Sequence, residues 1–260
     1  MKNILIIIFF INLSYSQNNI ATATYELNRS KNGFNFTAKC TSFVDNINKK
    51  TLFKLNQYDN LLKNGKKIFD KKENDSIVVV GSTSICTDPK EYYFDFKEKK
   101  MVQLLYNVNC KSKVVIESKL EYPKWELKNE FKEISGYKTQ KAIATINDRI
   151  WTVFFTKDIK ENISPWKLVG LPGVIVEATE NTSTYTFILL KVEYNNKIDG
   201  VSKPIFKETS SFELFVKKSI KQNKEEMIFK LSQLDGVKAE DVEPDTFPLY
   251  ETIDFIEKRE

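Results

Sequence analysis

Tyr137-Lys138-Thr139-Gln140-Lys141-Ala142-Ile143-Ala144-Thr145-Ile146-Asn147-Asp148-Arg149-Ile150-Trp151-Thr152-Val153-Phe154-Phe155 is the stretch that sets the fold. Two runs rich in β-branched and aromatic residues flank Asn147-Asp148, a pair that suits the two-residue primed turn of an antiparallel hairpin. With those two residues as the loop, facing positions sum to 295, so Ile143 lies opposite Thr152 and Thr139 opposite Thr156. A one-residue slip would turn every apolar side chain to the other face, so this register also sets which residues face the core.

Outward from this hairpin the same pattern recurs. Gly173 to Val192 reads as a second hairpin with its turn at Glu180-Asn181-Thr182-Ser183 and with Tyr185, Phe187 and Leu189 on one face. Ile20 to Asn28 and Phe34 to Phe43 form an opening pair around Ser30-Lys31-Asn32-Gly33. Tyr92 to Phe96 and Met101 to Tyr106 pair about Glu98, with Val114 to Leu120 and Trp125 to Phe131 as further strands. Leu52 to Asp75 is polar and mixed, and Ser76 to Cys86 is a strand centred on Val78-Val79-Val80.

One helix follows. Ser210-Ser211-Phe212-Glu213 has the form of a capping box, Phe212, Val216, Ile220, Met227, Leu231 and Leu234 form a stripe at helical spacing, and Asp235-Gly236 stops it. A helix with one apolar stripe, placed after a run of strands, packs that stripe on the sheet. The expected fold is α+β: a mostly antiparallel, curved sheet with a packed C-terminal amphipathic helix, in a single domain over 17–260. By looser analogy, the half-barrel of periplasmic lipoprotein carriers has this outline.

The first sixteen residues read differently. Lys2, an apolar run from Ile4 to Leu13, and small residues at Ser14 and Ser16 make a secretory signal peptide with cleavage between Ser16 and Gln17. Ten apolar residues are too few to span a bilayer, and no later run is long enough, so no transmembrane segment is expected in the mature chain. The first cysteine is Cys40, too late for a lipid anchor, so the expectation is an unlipidated periplasmic or secreted protein. In that compartment disulfides persist, and the Tyr92–Tyr106 register extended outward sets Cys86 opposite Cys110. Such a bridge contributes on the order of 3 kcal/mol by loop closure. Pro89 interrupts that ladder, and three buried apolar thiols are the alternative.

Composition narrows the chemistry. The 260 residues include no His, which removes the usual Ser-His-Asp and Cys-His nucleophile systems and the His-containing zinc sites. The net charge of +5 is spread among lysines, and only Arg29, Arg149 and Arg259 are arginines, which argues against nucleic acid as a partner. No phosphate loop, nucleophile elbow or calcium loop is present, so no cofactor or metal is expected. Among the acids near the centre of the chain, Asp148 is a turn residue, Asp158 starts a loop, and Glu177 alternates toward water. No convergent catalytic set emerges, and the sequence reads as a protein that binds rather than reacts.

Between the two hairpins lies Ser164-Pro165-Trp166-Lys167-Leu168-Val169-Gly170-Leu171-Pro172-Gly173-Val174-Ile175. Pro172 fixes φ and Gly173 accepts a positive φ, so Leu171 to Val174 fits a type II turn. The loop is apolar for a connection, which calls for cover by the sheet or a place over a cavity mouth. Together with Ser135-Gly136-Tyr137-Lys138-Thr139-Gln140-Lys141-Ala142, the motif Gly170, Leu171, Pro172, Gly173, Val174, Ile175 resembles the GLPGLI (Porph_ging) family of exported Bacteroidetes proteins. Val174 stands where that family has leucine, and Thr139 where many members have cysteine.

The resemblance implies export and a place near genes for TonB-dependent outer-membrane receptors, without a defined activity. The functional expectation is therefore an exported envelope protein that holds an apolar ligand, a lipid or an acylated peptide, at an entrance shaped by Trp166, Leu171, Pro172 and Val174. The alternative is that these residues plug the end of the sheet. A second expectation is an accessory protein docking on an outer-membrane receptor, with Tyr92, Tyr93, Phe94 and Phe96 as its surface or, equally, as the filling of a buried strand.

Overall fold

The computed structural model describes residues 20–31, 34–56, 88–106, 113–195 and 200–232. Eleven strands form one antiparallel sheet: β1 (Ile20–Lys31), β2 (Phe34–Asp45), β3 (Lys50–Leu55), β4 (Lys90–Asp95), β5 (Lys100–Tyr106), β6 (Lys113–Lys119), β7 (Glu126–Ile134), β8 (Tyr137–Ile146), β9 (Arg149–Thr156), β10 (Val174–Glu180) and β11 (Tyr185–Asn195). Helix α1 (Phe212–Ser232) follows.

The strand order β6-β5-β4-β3-β2-β1-β11-β10-β9-β8-β7 describes two up-and-down meanders joined by the single ladder between β1 and β11. It also places β6 and β7, neighbours in sequence, at opposite edges of the sheet. Laid flat, ten strand spacings would separate those edges by about 48 Å. The connection through residues 120–125 reaches about 25 Å at full extension. The sheet therefore curls until its edges approach, and it stays open, because β6 and β7 form no ladder with each other.

The curl brings distant strands face to face in an aromatic interior. Trp151 on β9 packs on Phe187 of β11 at 5.9 Å between ring centroids, Phe187 meets Phe53 of β3 edge-on at 6.1 Å, and Phe53 meets Tyr92 of β4 at 5.9 Å. The outer face of the first meander carries a smaller core of Ile20, Leu52, Tyr93, Val102 and Val115, covered by Val201. The segment after β11 reaches the edge of β6, where Val115 N donates to Glu208 O and Ser210 N to Val115 O, so that edge is covered at Val115.

The hairpin register is as the sequence implies: Ile143 faces Thr152, and Asn147 and Asp148 both take positive φ, 50° and 59°. The ladder's last pair is Gln140–Phe155, one step short of Thr139–Thr156, because β8 turns there toward β7 and Thr139 Oγ1 donates to Lys132 O at 2.7 Å. Strand β3 was hidden in what read as a polar, mixed stretch. The helix begins one residue later than a capping box on Ser210 requires: Ser211 Oγ accepts from Leu214 N at 3.2 Å, which places Ser211 at the N-cap and leaves Glu213 to pair with Lys217. Phe215 joins the core, with Phe212, Val216 and Ile220 packed against it. The expected strand at Ser76–Cys86, the pair Cys86 and Cys110, and the residues from 233 onward lie outside the described residues. Cys40 is buried in the core.

Candidate functional site

The loop between β9 and β10 is held inside the curl. Its backbone is pinned by Tyr25 of β1, whose hydroxyl donates to Ile175 O at 3.0 Å, and by Ser42 of β2, whose hydroxyl donates to Ser164 O at 2.7 Å. Complete burial without a nearby charge holds the Tyr25 phenol well above the ordinary tyrosine range. Asn162 Oδ1 accepts from Gly173 N at 2.8 Å, and Ile163 forms a parallel bridge with Val174. Trp166 is fully buried against Trp151 at 5.5 Å and has φ of 49°, an uncommon conformation for a bulky residue.

Pro172-Gly173 turns the chain as the sequence implies, with Gly173 at φ of 106°. A Cβ on Gly173 would lie 1.9 Å from Thr156 O, so close backbone approach as well as φ demands glycine there. Gly170, at φ of 100°, lets Tyr122 and Trp125 of the β6–β7 connection pack onto the loop, and Trp125 Nε1 donates to Val169 O at 2.9 Å. The loop and this connection thus meet where the sheet edges approach.

Two concavities flank that meeting point. The first, about 360 Å³, lies between the loop and the β2–β3 turn and includes Asp45, Asn46, Lys50, Tyr122, Leu171 and Pro172 in its lining. The second, about 480 Å³, reaches from β4 and β5 to the tip of the β8–β9 hairpin and the start of α1, with Gln103, Tyr122, Asn147, Lys167 and Phe212 among its walls. Tyr122 and Val169 line both. Phe94, Phe96 and Tyr122 form an aromatic ladder, each step 6.3 Å between centroids, leading from the core to the half-exposed Tyr122 ring.

Charge along the rim is ordered by register. Asp45 faces Lys50, Lys50 faces Asp95, and Asp95 faces Lys100 across β2 to β5. Each aspartate also caps its turn: Asp45 accepts from Asn48 N at 2.9 Å, and Asp95 from Glu98 N at 2.9 Å and Lys97 N at 3.0 Å. The Glu98 amide, then that of Lys97 and the Lys50 ammonium, hold the Asp95 carboxyl below its usual value. Two inward side chains, Thr51 in the first concavity and Gln103 in the second, are each about 2% exposed, and Thr51 Oγ1 and Gln103 Oε1 have no hydrogen-bond partner among the described residues.

Of the residues singled out in the sequence, Leu171 and Pro172 line the first concavity with Gly170, Gly173 and Ile175, whereas Trp166 and Val174 lie beneath it in the core. Tyr92, Tyr93 and Phe94 are buried on both faces of β4. Glu177 pairs with Lys132 on the outer face at 3.2 Å, Asp158 accepts from Lys138 N, and Asp148 sits in its turn. Tyr122, Gln103, Thr51 and the Asp45–Lys50 row were not singled out. The signals for them were an aromatic residue directly before Pro123, and the repeated spacing of Asp45 to Lys49-Lys50 and Asp95 to Lys99-Lys100. Among the described residues no group of three or more Cys, Asp or Glu is placed to hold a metal ion.

Residues 57–218 match the family model of the N-glycanase peptide, N-terminal domain. The chain belongs to this family. The match takes in β4 to β11, the connecting loop and the start of α1. Two solved structures of PNGF-II are also similar, both at 16% identity: one in a C2 crystal form with a TM-score of 0.48, covering 76% of this chain and 32% of that one, and one in a P21 form with a TM-score of 0.41, covering 77% and 34%. The chain thus spans about a third of the length of these structures. Comparison with curated proteins gives no match.

Membership in the N-glycanase N-terminal domain family corrects four expectations. The GLPGLI resemblance, carried by Ser135–Ala142, Pro165–Lys167 and Gly170–Ile175, is overturned by the family match, and the two glycines of the last segment answer to loop geometry, with positive φ at Gly170 and Gly173 and backbone contact at Gly173. Binding of a lipid or acylated peptide is overturned by the family, and the interior expected to hold an apolar ligand is filled by Trp151, Trp166, Phe53 and Phe187. The receptor-accessory role falls to the same match, and of its expected surface Tyr92, Tyr93 and Phe94 instead fill the buried strand β4, the other reading of these residues, with Phe96 partly buried against the core. The expectation of a protein outside enzyme chemistry is overturned as well, because the family is the N-terminal domain of an N-glycanase.

Proposed function

We propose that this chain acts in the handling of N-linked glycans, as the N-terminal domain of an N-glycanase does, with the glycan received in the concavity of its open, half-barrel-like curl. The observation that carries this reading is the family match over residues 57–218, which spans the loop and the connection that form the concavity's rim. The chemistry of the rim supports it. A saccharide needs hydrogen-bonding partners for its hydroxyls and a flat apolar surface for the C–H face of its ring. Asp45, Asn46 and Lys50 supply the first, and Tyr122 and Pro172 the second. Export to the periplasm or beyond, read from residues 1–16, belongs to the same proposal and would bring the protein to glycoproteins outside the cytosol.

The test is to pass the purified protein over an immobilised N-glycosylated protein and over the same protein stripped of its glycans, and to analyse the effluent for released glycan by mass spectrometry. Retention that depends on the glycan, or release of the glycan, is the expected result. Equal passage over both columns with no released sugar overturns the reading.

A further inference from the structure

The first concavity, where the rim chemistry suits a glycan, has a graded lining. Val44, Ile163, Val169 and Ile175 in it are apolar and buried, whereas Asn46, Lys49 and Asn162, exposed at its rim, are polar. Asn162 Oδ1 is taken by Gly173 N, which leaves its side-chain N–H groups to face a ligand. One polar side chain lies among the apolar ones. Thr51 shares the inner face of β3 with Phe53, is about 2% exposed, and its Oγ1 has no hydrogen-bond partner among the described residues. A buried hydroxyl without a partner is costly, so a ligand that supplies the partner gains there. The wall opposite Thr51 is fixed by the Tyr25 and Ser42 hydroxyls, which hold the loop backbone, so the space exists before a ligand arrives.

This gradient selects among ligands. A hydrocarbon chain would leave Thr51 unpaired and strip water from the rim amides. An anion would meet the Asp45 carboxylate, which lines the same space opposite Lys50. A sugar bearing only hydroxyls would set one of them against Val169 or Ile175. Thr51 itself is deep enough to be reached by a slender pendant group rather than by a ring. An acetamido group meets each condition, since its methyl suits the apolar floor and its carbonyl accepts from a hydroxyl. Tyr122, stacked on Phe96 by one face and half-exposed, offers the rest of its ring to the sugar that carries the group. The volume, about 360 Å³, suits a short saccharide rather than a whole branched glycan.

From these observations we propose that the first concavity is a subsite for a 2-acetamido sugar: the acetamido group enters between the β9–β10 loop and β3, Thr51 Oγ1 donates to its carbonyl, the sugar ring stacks on Tyr122, and its hydroxyls meet Asn46 and Asn162 at the rim. This deepens the N-glycan reading and rests on it. It makes Thr51 the residue that distinguishes an acetamido sugar from a plain hexose, and Tyr122 the platform for either.

The test is calorimetric titration of the purified full chain with free N-glycan, with N,N′-diacetylchitobiose, and with cellobiose, the corresponding disaccharide that has hydroxyls in place of both acetamido groups. Thr51→Val, which keeps the shape of the side chain and removes the hydroxyl, and Tyr122→Ala are titrated alongside, with melting temperatures measured in parallel. The unaltered protein should bind diacetylchitobiose about tenfold or more tighter than cellobiose, and Thr51→Val should lose most of that preference without a fall in melting temperature. Tyr122→Ala should weaken binding of both sugars. A preference that survives in Thr51→Val, or undiminished binding in Tyr122→Ala, overturns the subsite. Binding of the N-glycan, or glycan-dependent retention on the glycoprotein column, together with equal affinity for the two disaccharides or with none for either, overturns the subsite while the N-glycan reading stands. Failure of the unaltered protein to bind the N-glycan in either experiment removes both proposals.

Discussion

Gly173 and Gly136 both have positive φ, and the difference between them shows what the loop requires. At Gly136 a Cβ would meet nothing within 4 Å, so Gly136→Ala should cost only the left-handed conformation, about 1–2 kcal/mol. At Gly173 the same methyl would overlap the Thr156 carbonyl, and relief requires β9 and β10 to move apart. Gly173→Ala should therefore cost about 3 kcal/mol or more, read as a fall in the denaturant midpoint. Equal costs at the two sites would show that φ alone matters. Tyr25→Phe tests the loop from the sheet side: losing the bond to Ile175 O should cost about 1–2 kcal/mol, with no change in the strand content seen by circular dichroism.

At the scale of the element, the β2–β3 and β4–β5 hairpins are built to one plan. An aspartate closes each strand and accepts amides of the turn, a lysine at positive φ ends the turn, and a second lysine faces the aspartate: Asp45, Lys49 and Lys50, then Asp95, Lys99 and Lys100. Because the Asp95 carboxyl is held below its usual value, its contribution is complete above the unfolded aspartate pKa of about 3.9 and is lost as pH falls through that value toward the folded one. Stability should accordingly fall between about pH 5 and pH 3, and the fall should be shallower in Asp95→Asn; an unchanged slope would show that the turn amides do not distinguish acid from amide. Alternation and turn chemistry made the β8–β9 and β10–β11 hairpins legible in the sequence, because local rules fix them. Strand β3 was not legible, since Lys50 and Lys54 break its apolar pattern and its partners lie far along the chain on one side. The concavities were hidden for a related reason: Gln103, Tyr122 and Lys167 belong to separate elements and meet only through the curl.

At the scale of the whole molecule, the two meanders share one ladder, β1 with β11, yet the aromatic interior ties them a second time. Phe187 touches Trp151 of one meander and Phe53 of the other, so its ring couples units that, among the described residues, share the single ladder between β1 and β11. Phe187→Ala should cost about 3–5 kcal/mol, the ordinary price of an aromatic cavity in a core. Its distribution matters more than its size. If the interior makes the sheet one cooperative unit, hydrogen exchange in the variant should rise together in β2 to β5 and in β8 to β10, while β7, an edge strand exposed along most of its length, exchanges early in both proteins. Were protection lost only in β8 to β11, the meanders would be separate units held by the β1–β11 ladder. The first concavity, lined by the β2–β3 turn of one meander and the β9–β10 loop of the other, would then open and close with that ladder, whereas a single cooperative unit holds its walls at fixed separations.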